Sequence, residues 1–238
     1  VNLIQIQQNE KIMATITTTD FNEDKSLVFF TKNGIVKRTN LSEYSNIRSV
    51  GVRAINLDED DELVTAKIVD SEVRQLFIAT YQGMCIRFDI EDVREIGRVS
   101  RGVTGIKFKA NEDYVVGAVT IGSDQDKLLT VSELGIGKQT IAGEYRLQSR
   151  AGKGVIAMKL TPKTGKLVSV VNVNDENMDL MVLTSSGKMI RVDTQAIREA
   201  GRNTSGVKIV NVAGEKVAYA SRCPKEEKQE DLLEDEEE

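Results

Sequence analysis

Apolar residues in this chain come in short runs, and the runs come in pairs. "SLVFFT" and "IVKRT" flank "KNG" near the start. "QLFIAT" and "MCIRFD" flank Gln82-Gly83, "KLLTVS" and "IGKQT" flank Leu134-Gly135, and "DLMVLT" and "KMIRVD" flank Ser186-Gly187. Short β-rich runs either side of a glycine turn predict β-hairpins. After each pair comes a polar connector, then a run opening on Gly-Val, then a valine-rich run: "ELVTAKIV", "YVVGAVTI", "KLVSVVNV" and "KVAYASR". Each unit therefore reads as four short strands.

Two landmarks share one period. Gly-Val recurs at Gly51, Gly102, Gly154 and Gly206, spaced 51, 52 and 52 residues apart. The hairpin glycines Gly34, Gly83, Gly135 and Gly187 are spaced 49, 52 and 52. Ten residues after each hairpin glycine stands Tyr44, Val93, Tyr145 or Ile197, which predicts a core anchor in every unit. The opening "VNLIQIQQNEKIMATIT" matches only the second half of a unit. The divisions are a half repeat over 1–25, repeats over about 26–74, 75–126, 127–178 and 179–223, and a tail over 224–238. Four-stranded repeats of about 40 to 50 residues build radial, propeller-like arrays that leave few exposed sheet edges. The expected fold is all-β, and an array that begins in mid-unit is expected to form an open arc or an incomplete ring.

Composition removes several chemistries. The 238 residues hold no His, which removes the usual zinc ligand sets and His-based catalysis. Cys85 and Cys223 lie 138 residues apart without metal-type spacing, and free thiols in a reducing cytoplasm are expected. The longest apolar runs, such as Leu27–Phe30 and Leu180–Leu183, fall far short of the roughly 20 residues a membrane-spanning helix needs. The opening residues lack the pattern of a secretory signal and an initiator Met, as a fragment would.

The net charge of −5 conceals two regions of opposite sign. Lys225–Glu238 holds nine acids and two bases, leaving 30 bases and 28 acids in residues 1–224. A like-charged block with little apolar content is expected to be disordered, and it could compete with a polyanion for the basic body. Basic residues of the body follow the repeat. Four residues after the hairpin glycines stand Arg38, Arg87, Gln139 and Arg191; three residues after stand Lys37 and Lys138. Arg98, Arg150 and Arg202 each precede the Gly of Gly-Val by four residues, with Arg101 and Lys153 alongside, and Arg48 sits near the first copy. A cation repeated in every unit of a radial array makes a belt, which suits a long curved polyanion such as duplex DNA. Arg38, Arg48, Arg87, Arg98, Arg101, Lys138, Arg150, Lys153, Arg191 and Arg202 are the candidate contacts. A solvated basic face without function is the alternative, since Glu43, Glu91 and Glu144 are interspersed. Aromatic residues are only 5% of the chain and Trp is absent, so a single-strand stacking platform is not indicated.

The stretches "FFTKNGIVKRTNLSEYSNIRSVGVRAINLDEDDELVTAKI", "GRVSRGVTGIKF", "GIGKQTIAGEYRLQSRAGKGVIAMKL" and "REAGRNTSGVKIVNV" closely resemble the C-terminal domain of the bacterial DNA gyrase A protein, a type IIA topoisomerase component. The resemblance covers nearly the whole chain. It implies a β-pinwheel, a propeller-like disc whose neighbouring blades exchange strands, with a basic rim that wraps duplex DNA. It implies chiral presentation of that DNA for ATP-dependent negative supercoiling, in an A2B2 assembly with the rest of the gyrase A protein and with the gyrase B protein. DNA cleavage and the ATP- and Mg-dependent steps then belong to the rest of that enzyme, so this domain needs no cofactor and is not itself catalytic. The implied setting is cytoplasmic, at the nucleoid, with no membrane partner. Two departures stand out. The family's glutamine-arginine-rich "GGKG" wrapping loop has no counterpart at the start of this chain, and fewer than the family's six blades are counted. The nearest likeness to that loop is "AGKG" at Ala151–Gly154, which makes Arg150 and Lys153 the candidates for the strongest contact. The paralogous C-terminal domain of topoisomerase IV is the alternative, as is a protein-interaction propeller with a closed ring. An enzyme on a propeller is disfavoured, because no paired acids recur at equivalent positions.

Overall fold

In a computed structural model, residues 11–22, 24–46 and 51–225 are described. They form fifteen strands: β1 (Ser26–Thr31), β2 (Ile35–Asn40), β3 (Leu63–Val69), β4 (Gln75–Thr80), β5 (Met84–Asp89), β6 (Val103–Thr104), β7 (Val115–Ile121), β8 (Lys127–Ser132), β9 (Ile136–Ile141), β10 (Val155–Ile156), β11 (Leu167–Asn172), β12 (Met178–Thr184), β13 (Met189–Val192), β14 (Val207–Lys208) and β15 (Val217–Pro224). No α-helix occurs among the described residues. The strands make four antiparallel sheets with the orders β3-β1-β2-β6, β10-β5-β4-β7, β11-β8-β9-β14 and β13-β12-β15.

The orders disclose an exchange between repeats. The short Gly-Val strand of each repeat completes the sheet of the repeat before it. Val103 and Thr104 pair with Val36 and Ile35, Val155 and Ile156 with Cys85 and Met84, and Val207 and Lys208 with Gly137 and Ile136. The fourth sheet has three strands among the described residues, and the edge where a partner would lie, at Lys188 and Met189, is unpaired; Met189 is 71% exposed. The Gly-Val run of the first repeat, expected as a strand over "GVRAINL", forms none among the described residues. Residues 11–22 of the half repeat are likewise without a strand, and its first ten residues lie outside the described residues. At the other end of each sheet, β3, β7, β11 and β15 are the innermost strands, with β11 packed on both β7 and β15 and β3 on β7. The array is propeller-like and its sheets do not close into a ring.

The hairpin turns explain why different residues precede the glycine. Only Gly34, Gly83, Gly135 and Gly187 adopt positive φ there, at 83°, 77°, 76° and 87°, and the amide of each donates to the carbonyl three residues back. This is a turn followed by one left-handed residue, not a two-residue turn with two left-handed positions. Asn33, Gln82, Leu134 and Ser186 are therefore interchangeable, while the glycine is not.

Packing between sheets explains the near-continuous apolar runs. Val28, Phe30 and Val36 of the first sheet meet Leu76, Ile78, Ile86 and Phe88 of the second. Phe77, Ala79 and Cys85 of the second meet Leu128, Tyr145 and Leu167 of the third, and Leu129 and Val131 of the third meet Leu180 and Val182 of the fourth. The inner sheets are buried on both faces, so strict alternation is lost. Each such side chain contributes on the order of 1.5–3 kcal/mol. The expected anchors Tyr44, Val93, Tyr145 and Ile197 are all buried. Tyr145 packs edge-on against Phe77, with ring centroids 4.9 Å apart. Both cysteines are free thiols, and burial pushes that of Cys85 up.

Candidate nucleic-acid interface

The connector ahead of each exchanged strand rises into an arch over the outer edge of the preceding sheet. It arrives alongside that edge: Ile96, Gln148 and Ala200 donate their amides to the carbonyls of Arg38, Arg87 and Gln139. It departs through the exchanged strand after Gly102, Gly154 or Gly206. These three glycines have φ of 105°, 69° and 82°. An added Cβ would lie 2.7 Å from the Val36 oxygen at Gly102, 2.5 Å from the Gly137 oxygen at Gly206, and closer still to the Cys85 oxygen at Gly154. Handedness and close approach both require glycine, so the arch can return tightly to the sheet. Because β6, β10 and β14 are the outermost strands, the arches line the outer edge of the array.

Arg98, Arg150 and Arg202 occupy one position on successive arches. Their amides donate to Glu43 Oε2 (3.2 Å), Asp92 Oδ2 (3.4 Å) and Glu144 Oε2 (3.2 Å) of the preceding repeat. Their guanidinium groups reach carbonyl oxygens: Glu43 for Arg98, Asp92 and Thr104 for Arg150, Ile156 for Arg202. Glu43 and Glu144, which weigh against a basic belt in the sequence, thus hold the arch backbones in place.

The candidate Lys138 and its repeat equivalent Lys37 differ from the arch arginines. Both have 0% exposure and stand beneath an arch. The Lys37 ammonium donates to the carbonyls of Ala54 and Arg98, and that of Lys138 to the carbonyls of Gly201 and Arg202. Burial lowers each pKa to about 8. Arg87, 4% exposed, donates to the carbonyls of Ala142 and Tyr145 and pairs with Asp124. Lys138 and Arg87, expected from the sequence as contacts, therefore have their donors turned inward and act as supports. Arg38 is half-buried between Glu91 and Glu95. Arg191 is exposed and reaches Asp179 and the Pro224 carbonyl. Arg101 is held by both carboxylate oxygens of Asp58 at 2.8 Å. Lys153 is exposed, with no partner among the described residues. Arg48 and the acidic tail beyond Lys225 lie outside the described residues.

The structure adds a row that is not among the candidates from the sequence. Arg94, Arg146 and Arg198 each follow a buried anchor by one residue and precede the arch glycine by eight. All three are exposed at the foot of an arch, and no side-chain hydrogen bond or ion pair engages them among the described residues. With Arg98, Arg150 and Arg202 they make two parallel rows of guanidinium groups, one pair per arch.

This outer edge belongs to a fold that recurs in known proteins. The sequence profile of a family described as "DNA gyrase C-terminal domain, beta-propeller" matches residues 25–70, 74–121, 126–174 and 179–224, one segment per sheet. The chain belongs to this gyrase C-terminal domain family. The DNA gyrase A protein of Campylobacter jejuni is 60% identical over 271 aligned residues, covering 99% of this chain and 31% of that protein. That of Helicobacter pylori strain J99 is 63% identical over 233, covering 98% and 28%. The chain thus spans less than a third of these relatives. Among solved structures, the C-terminal domain of DNA topoisomerase IV superposes with a TM-score of 0.83 at 25% identity, over 94% of this chain and 69% of that one. A DNA gyrase A C-terminal domain superposes with a TM-score of 0.81 at 24% identity, over 93% and 73%. These two share the fold of the gyrase-family chain.

Proposed function

We propose that this domain binds duplex DNA along the arched outer edge and bends it around the array. The observation that carries the reading is the double row of Arg94/Arg98, Arg146/Arg150 and Arg198/Arg202, repeated at one place on successive arches. The outer row of Arg94, Arg146 and Arg198 is free to meet phosphates. The inner row is oriented by carbonyls that leave part of each guanidinium fork available. Phosphate contacts of this kind fix position and not sequence, and a curved array of them favours bent DNA through the extra contacts that bending permits. Among the described residues no aromatic platform accompanies the rows, which favours a duplex over a single strand.

In the longer gyrase A protein, the wrapped DNA would be presented with fixed chirality to the strand-passage machinery, giving ATP-dependent negative supercoiling in an A2B2 complex with the gyrase B protein. The domain itself contributes binding and geometry. The steps that use ATP and Mg²⁺ belong to the remaining parts of the assembly, in the cytoplasm at the nucleoid. Identities of 60% and 63% to gyrase A proteins support the gyrase assignment.

The test is equilibrium binding to a random-sequence duplex across a salt series. Neutralising several phosphates releases counterions, so log K should fall linearly with log salt, by about 0.9 per phosphate contacted. Affinity that is indifferent to salt, or absent at low salt, would exclude the reading.

A further inference from the structure

The four innermost strands enclose a second cationic feature, away from the arches. Residues of β3, β7, β11 and β15 together line a cavity of about 120 Å³. Two cations enter it from different sheets, Lys67 on β3 and Arg222 on β15. Among the described residues no Asp or Glu lines the cavity, whose other polar groups include Thr65, Thr120, Asn172 and Ser221. Among the described residues, neither Lys67 nor Arg222 has a side-chain hydrogen bond or a carboxylate partner. Burial, and the nearby positive charge of Arg222, hold the Lys67 ammonium below the usual lysine range.

Lys67 is unfavourably placed there, because it is partly desolvated and faces the like charge of Arg222 with no carboxylate among the described lining residues. The outer-edge rows do not account for them, since the cavity lies at the opposite end of every sheet. An anion between the two groups would remove both penalties. A guanidinium fork, an ammonium and neighbouring hydroxyls match the several oxygens of a tetrahedral oxyanion better than a single-atom halide. The volume is that of roughly four waters, which admits a free oxyanion and excludes a duplex.

We propose that the space between the inner strands is a binding site for a small multivalent oxyanion of the phosphate class, held between Lys67 and Arg222. The hydroxyls of Thr65 and Ser221, which have no hydrogen-bond partner among the described residues, complete the donor set.

Calorimetric titration of the full 238-residue chain with inorganic phosphate tests this, at an ionic strength held constant with chloride. Saturable binding near one equivalent is expected, with a rise in Tm. Lys67→Met should weaken it by roughly tenfold or more, the loss of one charge-assisted contact. Arg222→Gln, at an exposed position that should not disturb folding, should do the same. The triple variant Arg94→Gln, Arg146→Gln, Arg198→Gln should keep phosphate affinity while losing DNA affinity. Loss of phosphate binding in that triple variant, unchanged binding in both cavity variants, or no saturable binding at all would overturn the proposal. DNA binding by Lys67→Met is expected to be unchanged, so failure here leaves the outer-edge reading standing.

Discussion

The ammonium of Lys138 lies 2.8 Å from the carbonyl oxygen of Gly201 and also bonds the carbonyl of Arg202, so one buried cation supports the arch that presents Arg202. Lys37 does the same for the carbonyl of Arg98. Lys138→Met should fill the space but leave the Arg202 carbonyl without this donor, while Gly201 keeps its bonds from Thr204, costing about 1–3 kcal/mol of stability. The effect should depend on pH. Burial lowers the folded pKa to about 8, against the 10.5 of an unperturbed lysine. Below about pH 8 both states are protonated, and the cost of burying the charge is fully present. Above it the folded chain sheds a proton that the unfolded chain retains, so stability rises with pH up to about 10.5. Thermal melts from pH 7 to about 9.5 should show the wild-type chain gaining on Lys138→Met. A flat difference would mean that the lysine titrates as an exposed one.

The outer row makes a separable prediction. Changing Arg94, Arg146 and Arg198 to Gln should leave folding within about 0.5 kcal/mol, since none has a partner to lose among the described residues. The slope of log K against log salt should fall by about 1 for each arginine that meets a phosphate. An unchanged slope in the triple variant would remove this row from the interface.

Paired substitutions rank the arches. Arg150→Ala with Lys153→Ala should weaken DNA binding more than Arg98→Ala with Arg101→Ala. The reason is local: Arg101 is already neutralised by Asp58, whereas Lys153 is unpaired among the described residues. Equal losses on gel shift would show that the Asp58 pairing is exchanged for phosphate at little cost.

The arch at "AGKG" also carries backbone strain. Ala151 has φ of 63°, in the left-handed region that costs a non-glycine residue roughly 1–2 kcal/mol. Its amide donates to the Gly105 carbonyl, which fixes it there. Ala151→Gly should relieve the strain, offset in part by glycine's greater freedom in the unfolded chain. A net gain of up to about 1 kcal/mol is expected in denaturant unfolding. A loss of stability would show that the methyl group contributes packing that outweighs the strain.

The period, the hairpins and the buried anchors are legible in the sequence because each is local: two apolar runs around a glycine, and Tyr44 or Tyr145 at a fixed distance. The exchange of Val103–Thr104, Val155–Ile156 and Val207–Lys208 into preceding sheets is implied by the family resemblance but not by the local pattern, since each pairing is two residues long and joins distant segments. The cations divide for the same reason. Arg87 and Lys138 keep the repeat's periodicity as faithfully as Arg150, and only the folding of an arch over them decides that they face carbonyls. The signal for Arg94, Arg146 and Arg198 stands in the sequence, one residue after each anchor, but the first repeat carries Ser45 there, which breaks the pattern.

The central claim is that the edge wraps DNA and does not merely hold it. Relaxed circular DNA should be incubated with the domain, relaxed again by an independent topoisomerase and freed of protein. The account predicts a shift in linking number of one sign that grows with protein and is lost in the Arg94, Arg146, Arg198 triple variant. An unshifted distribution at saturating protein would contradict it.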